Sequence, residues 1–133
     1  MLGDQIAEIQ SQDTVRRVLA GGEGPVVEVS FQGTGEVLGT PVTEFATYES
    51  ELHADGTLFG EGQGVDMTAD GQTITWHGSG VGHFTEGGGV SYRGSVYFTT
   101  ASPQFSRLNG TAGVFEFESG ADGKNTAKVF EWK

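Results

Sequence analysis

Apolar and polar residues alternate along most of this chain, and turn signals interrupt the alternation at short intervals. The tripeptide Ala-Asp-Gly occurs three times, at 54–56, 69–71 and 121–123. Asp-Gly between alternating runs favours a two-residue hairpin turn, in which both central residues need a positive φ. Runs with a period of two that are rich in Val, Thr, Phe and Tyr are typical of strands. The pattern therefore predicts an all-β protein built from consecutive hairpins.

Eight strands are predicted between the turn signals. A helix is the alternative for the first of them, because Asp4 is a suitable N-cap. Ala7, Ile9 and Val15 share one parity, however, which favours a strand. The longer connection at 101–107 is expected to hold a helical turn. The predicted strands cover residues 5–19, 26–37, 41–53, 57–68, 72–84, 90–100, 108–119 and 124–132.

Eight sequential strands with short connections favour a single antiparallel up-and-down β-barrel. Closure of the sheet removes the exposed edges that an open sheet would leave. A two-sheet β-sandwich is the alternative. The chain shows no linker or low-complexity segment, so residues 1–133 are expected to form one domain.

Composition excludes several classes of protein. The chain has 23 glycines but only 3 prolines and no three-residue glycine period, which excludes collagen. It has no cysteine, so disulfides and thiolate zinc sites are excluded. Its net charge of −11 disfavours binding to nucleic acid or to an anionic membrane. With no apolar span and no signal peptide visible, a cytoplasmic location is expected.

The turns also predict the register of the strands. A two-residue turn at Asp55-Gly56 places Tyr48 opposite Gln63, and the next such turn places Gln63 opposite Gly78. The turn at Leu38-Gly39 places Val37 opposite Thr40, and the Gly-rich turn at 87–89 places Gly80 opposite Gly94. The last Asp-Gly turn places Phe115 opposite Phe130, and the inward face of that hairpin is left open. In this register the apolar faces of neighbouring strands meet, so each hairpin supports the next.

The register predicts an interior that is hollow in the middle. Glu61 and Gln63 are expected to face inwards beside Gly78, Gly80 and Gly94, where the absence of side chains leaves space. Apolar walls with a few polar groups are typical of a ligand pocket. The alternative is that aromatic rings lie over these glycines and fill the barrel. The expected apolar wall consists of Val27, Val29, Phe31, Tyr48, Leu52, Phe59, Val65, Met67, Ile74, Trp76, Phe84, Tyr92, Val96 and Phe98.

Glu61 is the candidate catalytic residue. A carboxyl group among apolar walls has a raised pKa, which suits general acid or base chemistry. The predicted ligand-binding residues are Tyr48, Glu61, Gln63, Trp76, Gly78, Gly80, Tyr92 and Gly94. The alternative is that Glu61 is a structural residue hydrogen-bonded inside the barrel.

No metal site or cofactor is predicted. His53, His77 and His83 are all expected to face outwards, without a third ligand nearby. The glycine-rich runs at 60–64 and 78–82 lie in the middle of strands and lack a lysine, so they do not indicate a phosphate-binding loop.

Several motifs resemble those of a family of short, mostly uncharacterised prokaryotic proteins. These motifs are YRG, TTASP and LNG followed by GVFE, within the runs YESELHADGTLFGEGQGVDMTADGQTITWHGSGVG, YRGSVYFTTASPQFSRLNGTAGVFEFE and KVFEWK. The family is similar in architecture to the calycin-like barrels grouped with allene oxide cyclase and dirigent proteins. That resemblance implies a barrel that holds a hydrophobic molecule, and it supplies no catalytic residue.

Three functions remain open at this stage. The first is binding of a small hydrophobic or amphipathic ligand inside the barrel. The second is a cyclase or isomerase that uses the same cavity, with Glu61 as general acid or base. The third is a structural or oligomeric module with a filled barrel, for which outward-facing aromatic residues would form the interface between copies.

Overall fold

The computed structural model describes residues 1–133 and contains eight strands, as predicted. β7 starts later than expected, and the connection before it holds the short 3-10 helix Pro103–Leu108. A second 3-10 turn covers Glu86–Gly88. No helix of the structure has the length and hydropathy needed to cross a membrane. The strands are β1 (Leu2–Leu19), β2 (Val26–Val37), β3 (Thr40–Leu52), β4 (Thr57–Met67), β5 (Thr73–Phe84), β6 (Val90–Thr99), β7 (Ala112–Ser119) and β8 (Lys124–Trp132).

The strands form one closed antiparallel barrel in sequence order. β8 returns to β1 and pairs with it from Leu2 to Gln12, so the barrel has no open edge there. This closure confirms the up-and-down barrel and makes the sandwich alternative wrong. The end of β1 extends past β8 and pairs only with β2, up to Leu19 opposite Val26.

The positive-φ two-residue turn occurs at Leu38-Gly39, where φ is 48° and 78°. It pairs Val37 with Thr40, as predicted. Mirror-image turns of this kind match the twist of the strands, and Leu38 is the only residue other than glycine with a positive φ.

The Asp-Gly turns have a different geometry from the predicted one. Between β3 and β4, His53 pairs with Thr57, since the Thr57 carbonyl accepts a 2.9 Å hydrogen bond from the His53 amide. The loop therefore has three residues, and only Gly56, with φ of 87°, is left-handed. The Asp55 carboxylate accepts a 3.0 Å hydrogen bond from the Thr57 amide, which stabilises this turn. Gly71 and Gly123 end loops with the same hydrogen-bond pattern.

The extra loop residue on both sides of β4 turns this strand over. Tyr48 pairs with Gly62 and not with Gln63, and Gly62 pairs with Gly78. The predicted inward orientation of β4 is therefore wrong, whereas β3 and β5 keep their predicted faces. The residues wrongly expected inside are Phe59, Glu61, Gln63, Val65 and Met67, and those that face the interior are Leu58, Gly60, Gly62, Gly64 and Asp66.

Of the later hairpins, one has the predicted register and one does not. The β5–β6 register is confirmed, with Gly80 opposite Gly94. The β7–β8 register is shifted by one residue, because Asp122-Gly123 also belongs to a three-residue loop. Phe115 therefore pairs with Val129, and both face the interior.

One end of the barrel is closed by the 3-10 helix before β7. Phe105 and Leu108 are fully buried and pack in the core with Val37, Val42 and Ile74. The opposite end carries the loops after β1, β3, β5 and β7 and has no such segment. The predicted inward residue Phe84 lies at this open end and is 56% exposed.

Candidate functional site

A cavity of about 100 Å³ lies inside the barrel. Its wall is mainly apolar, with aromatic rings from several strands. The interior is thus neither empty nor completely filled. A cavity of roughly 150 Å³ lined by apolar residues can hold benzene, so this smaller one suits a molecule of about four or five heavy atoms. The aromatic residues in its wall are Phe31, Tyr48, Trp76, Tyr92, Phe98, Phe115 and Phe117.

The interior glycines provide room for these rings and do not simply leave empty space. A Cβ on Gly64 would lie 2.6 Å from the indole ring of Trp76, and a Cβ on Gly82 would lie 2.7 Å from the ring of Tyr92. A Cβ on Gly80 would lie 2.9 Å from the Phe115 ring. Aromatic rings therefore cover part of the glycine backbone, as one of the two alternatives predicted.

Two carboxyl groups stand next to each other in the cavity wall. Glu44 on β3 and Asp66 on β4 are directly paired across the sheet, and they are 4% and 2% exposed. Burial and the nearby carboxyl of Glu44 raise the pKa of Asp66 to about 10. Burial also raises the pKa of Glu44, while hydrogen bonds from Asp66 and Trp76 act in the opposite direction. The pair therefore retains a proton at neutral pH, and the hydrogen bond from Trp76 to Glu44 favours placing this proton on Asp66.

Trp76 fixes the position of Glu44 from two strands away. Its indole Nε1 donates a 2.9 Å hydrogen bond to Oε1 of Glu44. The ring reaches Glu44 by lying across β4 at Gly64, the residue that pairs with Trp76 in the sheet. A side chain at Gly64 would block this path. The absence of a side chain at Gly64 thus leaves room for the indole ring and allows its hydrogen bond to Glu44.

One oxygen of the carboxyl pair has no partner. Oδ1 of Asp66 is buried and accepts no hydrogen bond from the protein. A buried polar atom without a partner costs free energy, roughly 1–3 kcal/mol. Asp66 is one of the residues that line the cavity, so a bound molecule with a donor group is a candidate partner for this oxygen.

The cavity lies below the open end of the barrel. A depression of about 240 Å³ at that end includes Arg16 and Ser50 in its wall, and Tyr48 and Tyr92 belong to both spaces. The two tyrosine rings are 6.0 Å apart, and the Tyr92 hydroxyl is hydrogen-bonded to Ser50. Burial raises the pKa of both phenols, so both are neutral at physiological pH. Both tyrosines thus lie where the depression and the cavity adjoin.

The predicted ligand-binding residues are only partly brought together. Tyr48, Trp76, Gly78, Gly80 and Tyr92 are in the wall of the cavity. Gly94 is on the same interior face, opposite Gly80 in the sheet, but outside the cavity wall.

The expected inward positions of Glu61 and Gln63 are wrong. Both residues are exposed and face the outer surface of β4, because the strand is turned over. Glu61 pairs with Glu49 on the outside of the sheet, while its backbone neighbours Gly60 and Gly62 face the cavity. The acid–base role proposed for Glu61 therefore has no geometric support.

Sequence reasoning missed Glu44 and Asp66. Glu44 lies between Val42 and Ala46 on the inward parity of β3, and this parity was sufficient to find it. Asp66 was hidden by the register of β4, which placed Met67 inside instead. No sequence signal short of the correct loop geometry would have revealed it.

The three histidines are exposed, and no group of three or more His, Cys, Asp or Glu side chains could hold a metal ion. His53 lies 3.1 Å from Glu51 at the surface, between Nε2 and Oε1. His77 packs against Tyr97 outside the barrel, with 5.7 Å between ring centroids.

The fold occurs in several solved bacterial proteins. A protein of unknown function from Clostridium acetobutylicum superimposes with a TM-score of 0.84 at 12% identity, covering 98% of each chain. A β-barrel-like protein from Acinetobacter baumannii gives 0.84 at 16% identity, covering 100% of this chain and 96% of that one. A conserved protein of unknown function from Rhodopseudomonas palustris gives 0.83 at 15% identity, covering 98% and 97%. No family model and no curated protein matches the chain. The likeness supports the barrel fold and carries no activity.

Proposed function

We propose that this protein binds a small, mainly apolar molecule inside the barrel, and that a hydroxyl or amino group of this molecule donates a hydrogen bond to Asp66. The observation that carries the proposal is the buried, unpartnered Oδ1 of Asp66, a residue that lines an apolar cavity. Pockets of this kind bind through apolar contact and are made specific by a few polar groups.

The surroundings of Asp66 support a specific orientation of the bound molecule. Trp76 and the carboxyl of Asp66 both direct hydrogen bonds at Glu44, so Glu44 has its donors already. Asp66 Oδ1 is left as the free acceptor. The apolar part of the ligand would then lie against the opposite wall, where β7 and β8 contribute Phe115 and Ala127.

Native mass spectrometry on protein purified without denaturation tests this proposal. The expected result is a bound small molecule that is released on denaturation. Ala127→Leu adds bulk to the cavity wall and is expected to abolish the bound mass, while Ala101→Leu, at an exposed position, is the matched control and is expected to retain it.

If the purified protein carries no ligand, the same variants are titrated with isobutanol and isobutylamine. The Trp76 indole N–H resonance reports on the cavity, and it is assigned by its retention in Trp132→Phe. No response to any probe, or equal binding by Ala127→Leu, would overturn the proposal.

A second function is favoured by the shared proton of the carboxyl pair. A neutral acid beside a carboxylate in an apolar site can donate a proton at one atom while its neighbour accepts one at another. In an isomerase of this kind Asp66 would be the acid and Glu44 the base.

Deuterium exchange distinguishes this enzyme from a simple binder. The retained ligand is incubated with the protein in D₂O and its mass is measured after release. Deuterium at a carbon position that is lost in Glu44→Gln, but kept in Glu61→Gln, would support the isomerase. An unchanged ligand mass would contradict the isomerase, and only the binding function would remain.

A further inference from the structure

We propose that the ligand of this barrel is a small organic amine, bound as an ammonium ion against Glu44 and Asp66. The inference rests on the proposed binding function and deepens it by naming the chemical class of the ligand. It is carried by the charges inside the barrel, by the unpartnered oxygen and by the aromatic rings around the cavity.

The carboxyl pair has no basic partner in the protein. The four arginines form ion pairs with Asp13, Glu28, Glu118 and Glu131, at distances between 2.8 and 3.0 Å. All three lysines are exposed, as are the three histidines. None of these ten side chains is in the cavity wall. A cation that neutralises the pair must therefore come with the ligand.

The hydrogen bonds around Glu44 favour its carboxylate form. The indole of Trp76 donates to it from two strands away, and the carboxyl of Asp66 donates from the neighbouring strand. Burial acts against these hydrogen bonds and raises the pKa of Glu44, so an ionised Glu44 needs a positive partner among the apolar walls. A buried charge without a counter-ion is costly, and an ammonium ion would offset that cost. A neutral alcohol would satisfy Asp66 Oδ1 but would not compensate the charge of an ionised Glu44.

The rest of the wall suits a cation with a short apolar part. Phe31, Tyr48, Tyr92 and Phe117 form a cluster of rings with centroid separations of 5.8 to 6.3 Å, and all four are in the cavity wall. Aromatic faces attract organic cations, and the attraction grows when water is excluded. The other titratable groups in the wall are these two tyrosines, whose phenols are neutral, and Glu61, whose side chain faces outwards.

The same features disfavour other classes of ligand. A carboxylate or phosphate would add a negative charge beside two buried acidic side chains that have no basic partner in the cavity wall. A divalent metal ion needs more oxygen ligands than two carboxyl groups supply, and no third metal-binding side chain is close.

Isobutylamine and isobutanol form the test, because they match in shape and number of heavy atoms. Each is titrated at pH 7 into the full chain carrying Trp132→Phe, and the Trp76 indole N–H resonance is followed. A charge-assisted hydrogen bond exceeds a neutral one by enough that we expect the amine to bind about tenfold more tightly. The double variant Glu44→Gln/Asp66→Asn is expected to remove this preference. Glu61→Gln, on the outer face of the same strand, is expected to keep it.

The possible outcomes separate the two proposals. Equal binding of both probes, or tighter binding of the alcohol, would overturn the amine and leave the binding function intact. Binding of neither probe would overturn both. An amine preference that survives in the double variant would show that the carboxyl pair is not its origin, and would also overturn the inference. Because the comparison of the two probes needs no substitution in the pair, the proposal stays testable if the double variant does not fold.

Discussion

Glu44 and Asp66 are directly paired across β3 and β4, and together they bring two carboxyl groups into an interior without a single basic side chain. Oppositely charged partners usually accompany buried acids. Here one acid holds a proton and donates to the other, and an indole supplies the second donor. The arrangement ties the stability of the barrel to pH and makes the pair available to a ligand.

Asp66→Asn is expected to stabilise the protein at neutral and alkaline pH. The pKa of Asp66 is higher in the folded protein than its ordinary value of 3.8, so the folded state binds more protons between pH 4 and pH 10. Stability due to this group is present below pH 4 and falls as the pH rises, by about 1.4 kcal/mol per unit, until Asp66 ionises in the folded state. Asparagine removes this loss and can still donate to Glu44.

The measurement is urea unfolding of both proteins from pH 4 to pH 9. We expect the free energy of unfolding of the variant to increase relative to that of the wild type as the pH rises. Between pH 4 and pH 7 this relative gain is on the order of 4 kcal/mol. Glu61→Gln is the control, because it removes a carboxyl group from the exposed outer face of the same strand. A constant difference between Asp66→Asn and the wild type would contradict the raised pKa.

Gly64→Ala is expected to displace Trp76 from Glu44. The new methyl group would lie 2.6 Å from the indole ring, and overpacking of this kind costs about 1–3 kcal/mol. Thermal unfolding gives the stability, and the indole N–H resonance reports on the hydrogen bond. Gly60→Ala is the matched variant on the same strand, with a nearest contact of 3.0 Å to Tyr92, and should have the smaller effect. An unchanged indole resonance in Gly64→Ala would show that the ring does not depend on this glycine.

Phe105→Ala is expected to open the closed end of the barrel. Phe105 is fully buried, and removing a buried phenyl ring costs about 3–5 kcal/mol of unfolding free energy. Phe59→Ala removes the same group from the outer surface, where it is 36% exposed, and should cost much less. Denaturant unfolding compares the two. Equal losses would mean that the 3-10 helix does not contribute to the core as its burial indicates.

Gly71→Ala tests the geometry of the Asp-Gly loops. Gly71 has φ of 86°, and a methyl group added there would meet no other atom within 4 Å, so any loss arises from the backbone alone. We expect a loss of about 1–2 kcal/mol for alanine and a smaller one for asparagine, which tolerates the left-handed region better. Thermal unfolding of the two variants provides the ranking. Equal stability of the wild type and the alanine variant would contradict the three-residue loop.

Local signals were sufficient for most of the fold. Alternation and turn residues located all eight strands, and the Leu38-Gly39 turn fixed the β2–β3 register correctly. These signals did not predict which face of β4 points into the barrel. Its outward residues Phe59, Val65 and Met67 are apolar, whereas several inward positions are glycines, so the hydrophobic pattern favoured the wrong face.

The candidate site depended on the same decision. Trp76, Tyr48 and Tyr92 were correctly placed inside because β3, β5 and β6 keep their predicted faces. The carboxyl group that β4 contributes to the interior is that of Asp66 and not that of Glu61. One additional residue in each flanking loop moves every side chain of the strand to the opposite face of the sheet.

The sequence by itself determined an eight-stranded antiparallel barrel with an aromatic, glycine-lined interior, because a period of two and turn chemistry are local properties. Only the tertiary structure decided which carboxyl groups enter that interior. Loop geometry shifts β4 by one residue, closure brings its neighbours into place, and the indole of Trp76 reaches across Gly64 to Glu44. These are contacts between strands, and no single strand encodes them.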